Sequence, residues 1–455
     1  MTINDYNCIK IAVAGHTSVG KTTLIRTLMK SKVGEIADKA NVTKDKGEYT
    51  YQGLQAKFID CPGFQNALLL LSNPKLIDNN KVEGVFVPKN CDLTYDRRAI
   101  KAIVGSDVVL YVASLEAVPD NSHEMELNFI QTVQPNIVAI LSKSHKNKES
   151  CGNEVVNGRI SQFKSFLIEE GVKDIIEFDA HWDKPAKVNL IYDSIKKLIP
   201  NERRDIFEIG LNSFYARQKG IKDKVSEMYA KFIFDIKRIE VRIKQTPGKD
   251  DQIEEELQKK IFQEIVPVLN SFLKSISFFY ELVTDDPITS PNEFDVKYEK
   301  STDLKDVITS SSIGATVTGS ISGVIGAGVG AFFTGIFSGG LAAGPGAILG
   351  AQIGASLGGV VGSLFGGLVG TGQQCKVQVN DSHLNLITDE CISIIWALSH
   401  HGYGLSSHIL EQQIDGLKAN LNQIYQIAKP IKLSIAEEQD IRNWFSKVLD
   451  LLDDI

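Results

Sequence analysis

The stretch IKIAVAGHTSVGKTTLIRTL, residues 9–28, decides the fold of the first part of this chain. Residues 9–14 form a short apolar run rich in β-branched side chains, which is typical of a buried parallel strand. A loop containing two glycines follows, and residues 21–31 then repeat apolar side chains at helical spacing. The sequence therefore predicts a strand, a tight loop and a helix in direct succession.

The loop itself, GHTSVGKT at residues 15–22, matches the pattern Gly-x4-Gly-Lys-Ser/Thr. A chance match in a glycine-rich turn is the alternative, and the strand–loop–helix context argues against it. Backbone N–H groups of such a loop curl round phosphate oxygens at the N-terminus of the helix. We expect Lys21 to reach the β- and γ-phosphates of a nucleotide and the Thr22 hydroxyl to ligate Mg²⁺. The residues expected to contact the nucleotide here are Gly15, Ser18, Val19, Gly20, Lys21, Thr22 and Thr23.

Two later stretches can complete such a site. Asp60, in DCPG, follows an apolar strand, so it emerges at the carboxyl end of a sheet strand, where ligands of open α/β sheets bind. We expect Asp60 to hold Mg²⁺ through water and the Gly63 N–H to bond the γ-phosphate, although Asp-x-Pro-Gly alone is also an ordinary turn. Thr43, in a polar loop, is the candidate that closes over Mg²⁺ and the γ-phosphate. An ordinary loop threonine remains the alternative there.

Apolar strands and helical stretches alternate up to Pro200. Alternation of this kind predicts an α/β domain with a mostly parallel sheet and helices on both faces. Residues 64–100 read as irregular. The further predicted strands are 47–52, 54–60, 106–113, 136–142 and 174–179, and the further predicted helices are 121–133, 155–170 and 187–198.

Length and composition fit an intracellular protein of several domains. The 455 residues suffice for two or three domains, and the net charge of −7 argues against a broad nucleic-acid-binding surface. The six cysteines are scattered without metal-ligand spacing, which predicts reduced thiols in a cytosolic protein. The N-terminus lacks the features of a signal peptide. We therefore expect a cytoplasmic location and no nucleic-acid partner.

The sequence beyond Asn201 is mainly helical in pattern. Charged amphipathic stretches at 202–245 and 252–283, separated by the breaker TPGKDD, predict an antiparallel helical hairpin. Helical stretches at 383–400 and 406–453, with a break at Pro430, end the chain. The predicted domains are a nucleotide-binding domain at 1–200, an amphipathic hairpin with linker at 201–306, a glycine-rich apolar hairpin at 307–375, and C-terminal helices at 376–455 that pack with 201–306.

The glycine-rich segment has two open interpretations. Residues 307–375 contain no Asp, Glu, Lys or Arg, and a glycine recurs every four residues from Gly350 to Gly370. On a helix this spacing makes a smooth ridge that lets two backbones approach closely. Residues 347–370 would be about 36 Å long as a helix, against about 30 Å of bilayer hydrocarbon. A membrane-inserting hairpin over 313–370 and a hairpin buried in a soluble domain both satisfy these observations.

Several quoted stretches together resemble a known family, the Era-like P-loop GTPases of the translation-factor-related class. The resemblance extends to an uncharacterised bacterial branch with a helical, glycine-rich C-terminal domain of unknown function. It is carried by GHTSVGKTTLIRTL (15–28), GEIAD (34–38), DCPGF (60–64), FDAHW (178–182), KKLIP (196–200) and SHHGYG (399–404). The resemblance implies GTP or GDP and Mg²⁺ as ligands, with Lys21, Thr43 and Gly63 acting in hydrolysis and Thr22, Thr43 and Asp60 at the metal. It also implies that Lys143 packs along the base and that the Ala180 backbone faces the guanine oxygen.

Two departures from that family pattern bear on function. The stretch Ser142-Lys143-Ser144-His145 lacks the acid that pairs with guanine, so preference for GTP over ATP should be reduced. Phe64 stands where related enzymes place a water-orienting glutamine, which implies slow basal hydrolysis and possible homodimerisation through the GTPase domain.

We interpret the chain as a GTPase switch whose nucleotide state controls the C-terminal helical domain. The alternatives are a membrane-active or pore-forming protein with a regulatory nucleotide site, and a soluble ATP-preferring scaffold.

Overall fold

The computed structural model describes two compact units that divide between Lys219 and Gly220. The described residues are 8–30, 47–50, 54–77, 92–244 except 181, single helical positions from 264 to 280, 374–401 except 380, then 417 and 421–453. Thr43 and the predicted glycine-rich hairpin, apart from its last two residues, lie outside the described residues.

The first unit is built on a six-stranded sheet. Its strands are β1 (Ile9–Ala14), β2 (Glu48–Thr50), β3 (Ala56–Asp60), β4 (Val108–Ser114), β5 (Ile137–Ser142) and β6 (Asp174–Glu177). They lie in the order β2-β3-β1-β4-β5-β6. All neighbouring strands are parallel except β2 and β3, which are antiparallel. The predicted mostly parallel sheet is confirmed.

Helices cover both faces of this sheet. They are α1 (Lys21–Met29), α2 (Ala67–Ser72), α3 (Thr94–Val104), α4 (Asn121–Val133), α5 (Ser144–Cys151), α6 (Asn153–Glu169) and α7 (Pro185–Leu198), with a 3-10 turn at Pro74–Ile77. Because successive strand side chains point to opposite faces, Ile11 and Val13 pack with α1 and α7, while Ala12 and Ala14 pack with α4 and α6. Each face therefore has its own apolar core.

The prediction of irregular structure over residues 64–100 was wrong in part. Helix α2, the 3-10 turn and the start of α3 lie in this range. The stretch TYDRRAIKAIV forms α3 because Ala99, Ile100 and Ile103 make one buried face, while Arg98 and Lys101 are exposed. Asp96 is the buried charged residue of this helix, and it accepts hydrogen bonds from the backbone N–H groups of Gln65 and Asn66. Intervening polar residues hid this short stripe in the sequence.

A long helix, α8 (Asn201–Ile236), begins in the first unit, and its residues from Gly220 onward belong to the second. Within the first unit, Gly210 lies directly against the turn between β2 and β3. A Cβ atom on Gly210 would stand 1.9 Å from the Leu54 carbonyl oxygen, which no side chain could tolerate without a shift. Glycine is therefore required at this contact of α8 with the sheet.

The predicted helix over 202–245 ends early. Residues Glu240–Lys244 form a strand, β7, which pairs antiparallel with β8 (Gln374–Gln378) in the second unit. The sequence EVRIK alternates charged and apolar residues, which is the period of a half-buried strand and not of a helix. The start of β8 also shows that the end of the predicted glycine-rich hairpin, residues 374 and 375, is extended.

The second unit has one apolar core shared by the end of α8, by α9 (Asp381–His401) and by α10 (Glu438–Leu452). The rings of Tyr229 and Phe445 stack 3.6 Å apart, and the Tyr229 hydroxyl lies 2.7 Å from the Thr388 hydroxyl. Across the part of the chain that the structure describes, no helix is both long enough and apolar enough to cross a membrane.

Candidate nucleotide site

The loop after β1 adopts a backbone that few residues allow. Gly15 has φ of +135°, and a Cβ atom there would stand 2.2 Å from the Val112 carbonyl oxygen in β4. Ser18 has φ of 62° and Gly20 has φ of 100°, just before α1 begins at Lys21. These positive φ values turn the chain tightly into the helix N-terminus, where the helix dipole favours a phosphate.

Lys21 lies inside this loop. Its Nζ donates hydrogen bonds to the carbonyl oxygens of Gly15, at 2.9 Å, and His16, at 2.6 Å. Burial lowers the pKa of Lys21 because the ammonium group loses hydration. The loop therefore holds a buried cation at its centre, as a site for an anionic ligand requires.

The expected Mg²⁺ ligands Thr22 and Asp60 meet at the end of β3. The Thr22 hydroxyl donates to Asp60 Oδ2 at 2.5 Å, and the other oxygen, Oδ1, is buried and has no hydrogen-bond partner among the residues that the structure describes. Burial raises the pKa of Asp60. A buried carboxylate oxygen without a partner is costly, and a hard cation that prefers oxygen ligands would satisfy it. The residues present therefore fit Mg²⁺.

Gly63 packs against the loop at residues 15–22, which we call the phosphate loop. A Cβ atom on Gly63 would stand 2.7 Å from the Thr17 backbone nitrogen. Such a close approach requires glycine and brings the DCPG turn onto the phosphate loop.

The segments around Lys143 and Ala180, which the family resemblance places at the nucleotide base, also converge on this region. The Ser142 hydroxyl donates to the Val19 carbonyl at 2.8 Å, and the Thr27 hydroxyl donates to the Ala180 carbonyl at 3.3 Å. Lys143 has φ of 61°, and its Nζ donates to Glu116 Oε2 at 2.7 Å. The structure thus places Lys143 and Ala180 on loops that contact the phosphate loop and α1.

Sequence reasoning missed Asp179 in this region. It is 5% exposed, and its Oδ2 accepts a hydrogen bond from the His145 backbone N–H at 3.0 Å. The His145 ring stacks on Trp182, with centroids 3.7 Å apart. In the stretch FDAHW only Ala180 was assigned a role. The acidic side chain next to it was the one feature of the sequence that pointed to Asp179.

Comparison with known proteins identifies the type of domain. Residues 10–143 match the family described as 50S ribosome-binding GTPase. Curated relatives include GTPase Era of Ureaplasma parvum serovar 3, which is 24% identical over 216 residues, 47% of this chain and 60% of that protein. GTPase Era of Campylobacter fetus subsp. fetus is 28% identical over 192 residues, 42% of this chain and 56% of that protein. The N-terminal domain is an Era-like P-loop GTPase domain.

The Era-like domain also has solved neighbours of low overall similarity. Aquifex aeolicus Era bound to GDP and AlF4⁻ aligns with 57% of this chain and 89% of that one, at 15% identity and a TM-score of 0.29. Era in complex with MgGDPNP and a 16S ribosomal RNA segment aligns with 59% of this chain and 89% of that one, at 15% identity and a TM-score of 0.31. The chain spans 60% or less of the length of the two curated relatives named above.

Phe64 of the Era-like domain turns toward the protein interior. Its ring contacts Phe129 in α4 at a centroid distance of 5.6 Å. Gln65 is exposed, and its backbone N–H donates to Asp96 Oδ1 at 2.8 Å. Position 64 therefore presents an apolar ring packed on α4 and no polar group.

Proposed function

We propose that this chain is a Mg²⁺-dependent GTP-binding and GTP-hydrolysing switch protein with slow basal turnover. The observation that carries the proposal is the pairing of Thr22 with Asp60 beside the buried cation Lys21. No described residue bonds the second carboxylate oxygen of Asp60. Mg²⁺, when bound, would neutralise charge that develops on the transferring phosphoryl group. Lys21 would bind phosphate oxygens, Thr22 and Asp60 would hold the metal, and the Gly63 N–H would orient the γ-phosphate. Thr43 remains the residue that we propose to close over Mg²⁺ and the γ-phosphate.

The metal assignment predicts that Asp60→Asn raises the Mg²⁺ concentration needed for hydrolysis. An acid that holds Mg²⁺ through water belongs to its outer shell, and loss of such partners typically costs about 10–100-fold in metal affinity or activity. GTP hydrolysis measured against Mg²⁺ concentration tests this prediction. Asp92→Asn, which changes an exposed acid, is the control. Hydrolysis by Asp60→Asn at the parent rate and Mg²⁺ dependence would assign the metal to another acid.

A second candidate function, a site that binds ATP in preference to GTP, is supported by the residue at position 145. His145 stands where the family has the guanine-pairing acid, and its ring is stacked on Trp182. We propose a modest preference for GTP that comes from the loop around Ala180. Competition binding in which ATP displaced GTP at equal concentration would overturn that preference.

An acid at position 145 should increase the preference for GTP over ATP. His145→Asp is expected to raise the ratio of GTP to ATP affinity about tenfold, because a hydrogen bond to a charged group contributes about 1.5 kcal/mol or more. His145→Asn, which matches the size without the charge, is the control. A ratio that is the same in both variants would mean that position 145 does not face the base.

The switch proposal needs a route from the nucleotide site to the C-terminal region, and the Gly210 contact supports one. The β2–β3 turn that touches Gly210 belongs to the hairpin whose second strand ends at Asp60. The γ-phosphate and Mg²⁺ order switch segments, which are released when the phosphate is lost. We expect the β2–β3 hairpin to move when these segments are released. Movement of the Leu54 carbonyl would press on α8, which continues into the second unit.

Gly210→Ala is expected to destabilise the first unit and to abolish any nucleotide-dependent change in hydrogen exchange of α10. The added methyl group cannot fit 1.9 Å from the Leu54 carbonyl oxygen. Gly220→Ala, also in α8, is the matched control because no atom lies within 4 Å of its Cβ position. If hydrogen exchange of α10 responds equally to the nucleotide in both variants, the Gly210 contact does not transmit the nucleotide state.

Control of a membrane-inserting hairpin at 313–370 and homodimerisation through the Era-like domain remain parts of the proposal. The apolar composition and glycine spacing of the hairpin support the first, and Phe64 in place of glutamine supports the second. The expectation of no nucleic-acid partner rests on the net charge of −7. Flotation with liposomes, with and without a GTP analogue, tests insertion, and no flotation in either state would favour the buried-hairpin alternative. Sedimentation with GDP or the analogue tests dimerisation.

A further inference from the structure

Three potential metal ligands meet where the phosphate loop faces the start of α4. His16, Asp120 and His123 each offer a ligand atom, and these atoms all lie within 4.8 Å of one another. The two imidazole rings have centroids 4.5 Å apart and are tilted by 31°. His123 is buried, His16 is half-buried and Asp120 is exposed, so the cluster lies at the protein surface and is open to an ion.

A buried carboxylate stands behind this cluster. Glu126 is 1% exposed, and its Oε2 lies 2.8 Å from His16 Nδ1 and accepts a hydrogen bond from the Tyr111 hydroxyl at 3.1 Å. The other nitrogen of His16, Nε2, lies 2.9 Å from the Ser122 hydroxyl on the side of Asp120. A carboxylate close to the far nitrogen of an imidazole is the usual outer partner of a metal-ligating histidine, because a hydrogen bond between them fixes the ring and raises its basicity. His16 Nδ1 is at ion-pair distance from Glu126 but makes no hydrogen bond of good geometry within the described residues.

Helix capping accounts for only part of this arrangement. Asp120 Oδ1 accepts hydrogen bonds from the backbone N–H groups of Ser122, at 3.0 Å, and His123, at 3.2 Å, and His123 Nδ1 accepts from the Asp120 N–H. This is a capping box, which usually has Glu or Gln at the position of His123. Capping involves neither His16 nor Glu126, so it leaves their position unexplained.

Charge also favours a cation here. Asp120 is a carboxylate whose Oδ1 faces the Ser122 hydroxyl and the His123 ring. Glu126 adds a second, buried carboxyl group, and within the described part of the chain its Oε1 has no hydrogen-bond partner. Lys21, already bonded to two carbonyl oxygens, is a nearby cation that interacts with Glu126. A divalent ion would balance the two carboxylates.

We propose that His16, Asp120 and His123 form a binding site for Zn²⁺ or a cation of the same class. Two imidazoles and a carboxylate are typical zinc ligands and unlike the all-oxygen set that Mg²⁺ prefers. The ion would replace the Ser122 hydroxyl between His16 Nε2 and Asp120 Oδ1, and water would complete the coordination. This site is separate from Thr22 and Asp60 and does not depend on the proposed hydrolysis of GTP. An ion there would tie the phosphate loop to α4.

Titration of the GDP-bound full chain with Co²⁺, in excess Mg²⁺ to fill the oxygen site, tests the proposal. We expect saturation at one ion per chain, the strong visible absorption of tetrahedral Co²⁺, and displacement of Co²⁺ by Zn²⁺. X-ray absorption of the Zn²⁺-loaded parent chain should show imidazole nitrogen in the first shell. Absence of saturable binding, or a first shell of oxygen alone, would overturn the proposal.

Variants that keep the helix cap separate the two roles of these residues. His123→Gln restores the usual capping-box residue, and Asp120→Ser keeps an N-cap hydroxyl, yet each removes a metal ligand. Both should lose saturable Co²⁺ binding while retaining GDP affinity and the parent melting temperature. Glu126→Gln should weaken Co²⁺ binding about 10–100-fold. Parent-like Co²⁺ affinity in His123→Gln and Asp120→Ser would show that the cluster is only a cap.

Discussion

Lys21→Ala should weaken GTP binding by about 10²–10⁴-fold and leave the protein folded. Lys21 is held inside the phosphate loop by the carbonyl oxygens of Gly15 and His16, so its ammonium group is already placed for phosphate oxygens. Hydrogen bonds that involve a charged group contribute about 1.5–3 kcal/mol each, and loss of two corresponds to this change in affinity. The buried lysine also loses hydration, so its removal should cost little stability.

Equilibrium titration with a fluorescent GTP analogue measures this effect. Lys101→Ala is the matched control because Lys101 is exposed on α3, away from the phosphate loop. Circular dichroism of both variants establishes that they are folded. Parent-like nucleotide affinity in folded Lys21→Ala would refute the assignment of the nucleotide site.

Gly15→Ala should lower the free energy of unfolding of the Era-like domain by about 2–6 kcal/mol. The new methyl group would stand 2.2 Å from the Val112 carbonyl oxygen, and φ of +135° is unfavourable for alanine. Overpacking typically costs about 1–3 kcal/mol, and a backbone held in a sparsely populated region costs about 1–3 kcal/mol more. Thermal denaturation and loss of nucleotide affinity should both report the change.

Gly158→Ala provides a control of opposite sign. Gly158 lies inside α6, and no atom is within 4 Å of its Cβ position. Alanine in a helix interior is favoured over glycine by about 1 kcal/mol, so this variant should be more stable than the parent. Two glycine-to-alanine changes that shift the melting temperature in the same direction would mean that β4 does not constrain the phosphate loop.

The sequence predicted those parts of the fold and site that local patterns specify. The alternation of strands and helices is set by residues near each other in the chain, and the structure confirms it. The predictions for the phosphate loop and Asp60 rest on equally local patterns. Helix α5 was missed because SHKNKESC has no apolar stripe, and the strand Glu240–Lys244 was missed because its charges resembled a helix surface.

The missed site residues depend on distant contacts. Asp179 meets the His145 backbone only once β5 and β6 lie side by side, and Glu126 meets His16 only once α4 packs against the phosphate loop. No spacing within the sequence encodes either approach. Both became visible only with the tertiary structure.

The pairing of β7 with β8 restricts the path of the chain between them. Lys244 is directly opposite Gln374, so the two ends of the intervening 245–373 stretch are neighbours. A chain that leaves and returns at one point can traverse a barrier only an even number of times. If the glycine-rich residues enter a bilayer, both ends of the stretch must therefore stay on the same side, and neither β7 nor β8 needs to be translocated.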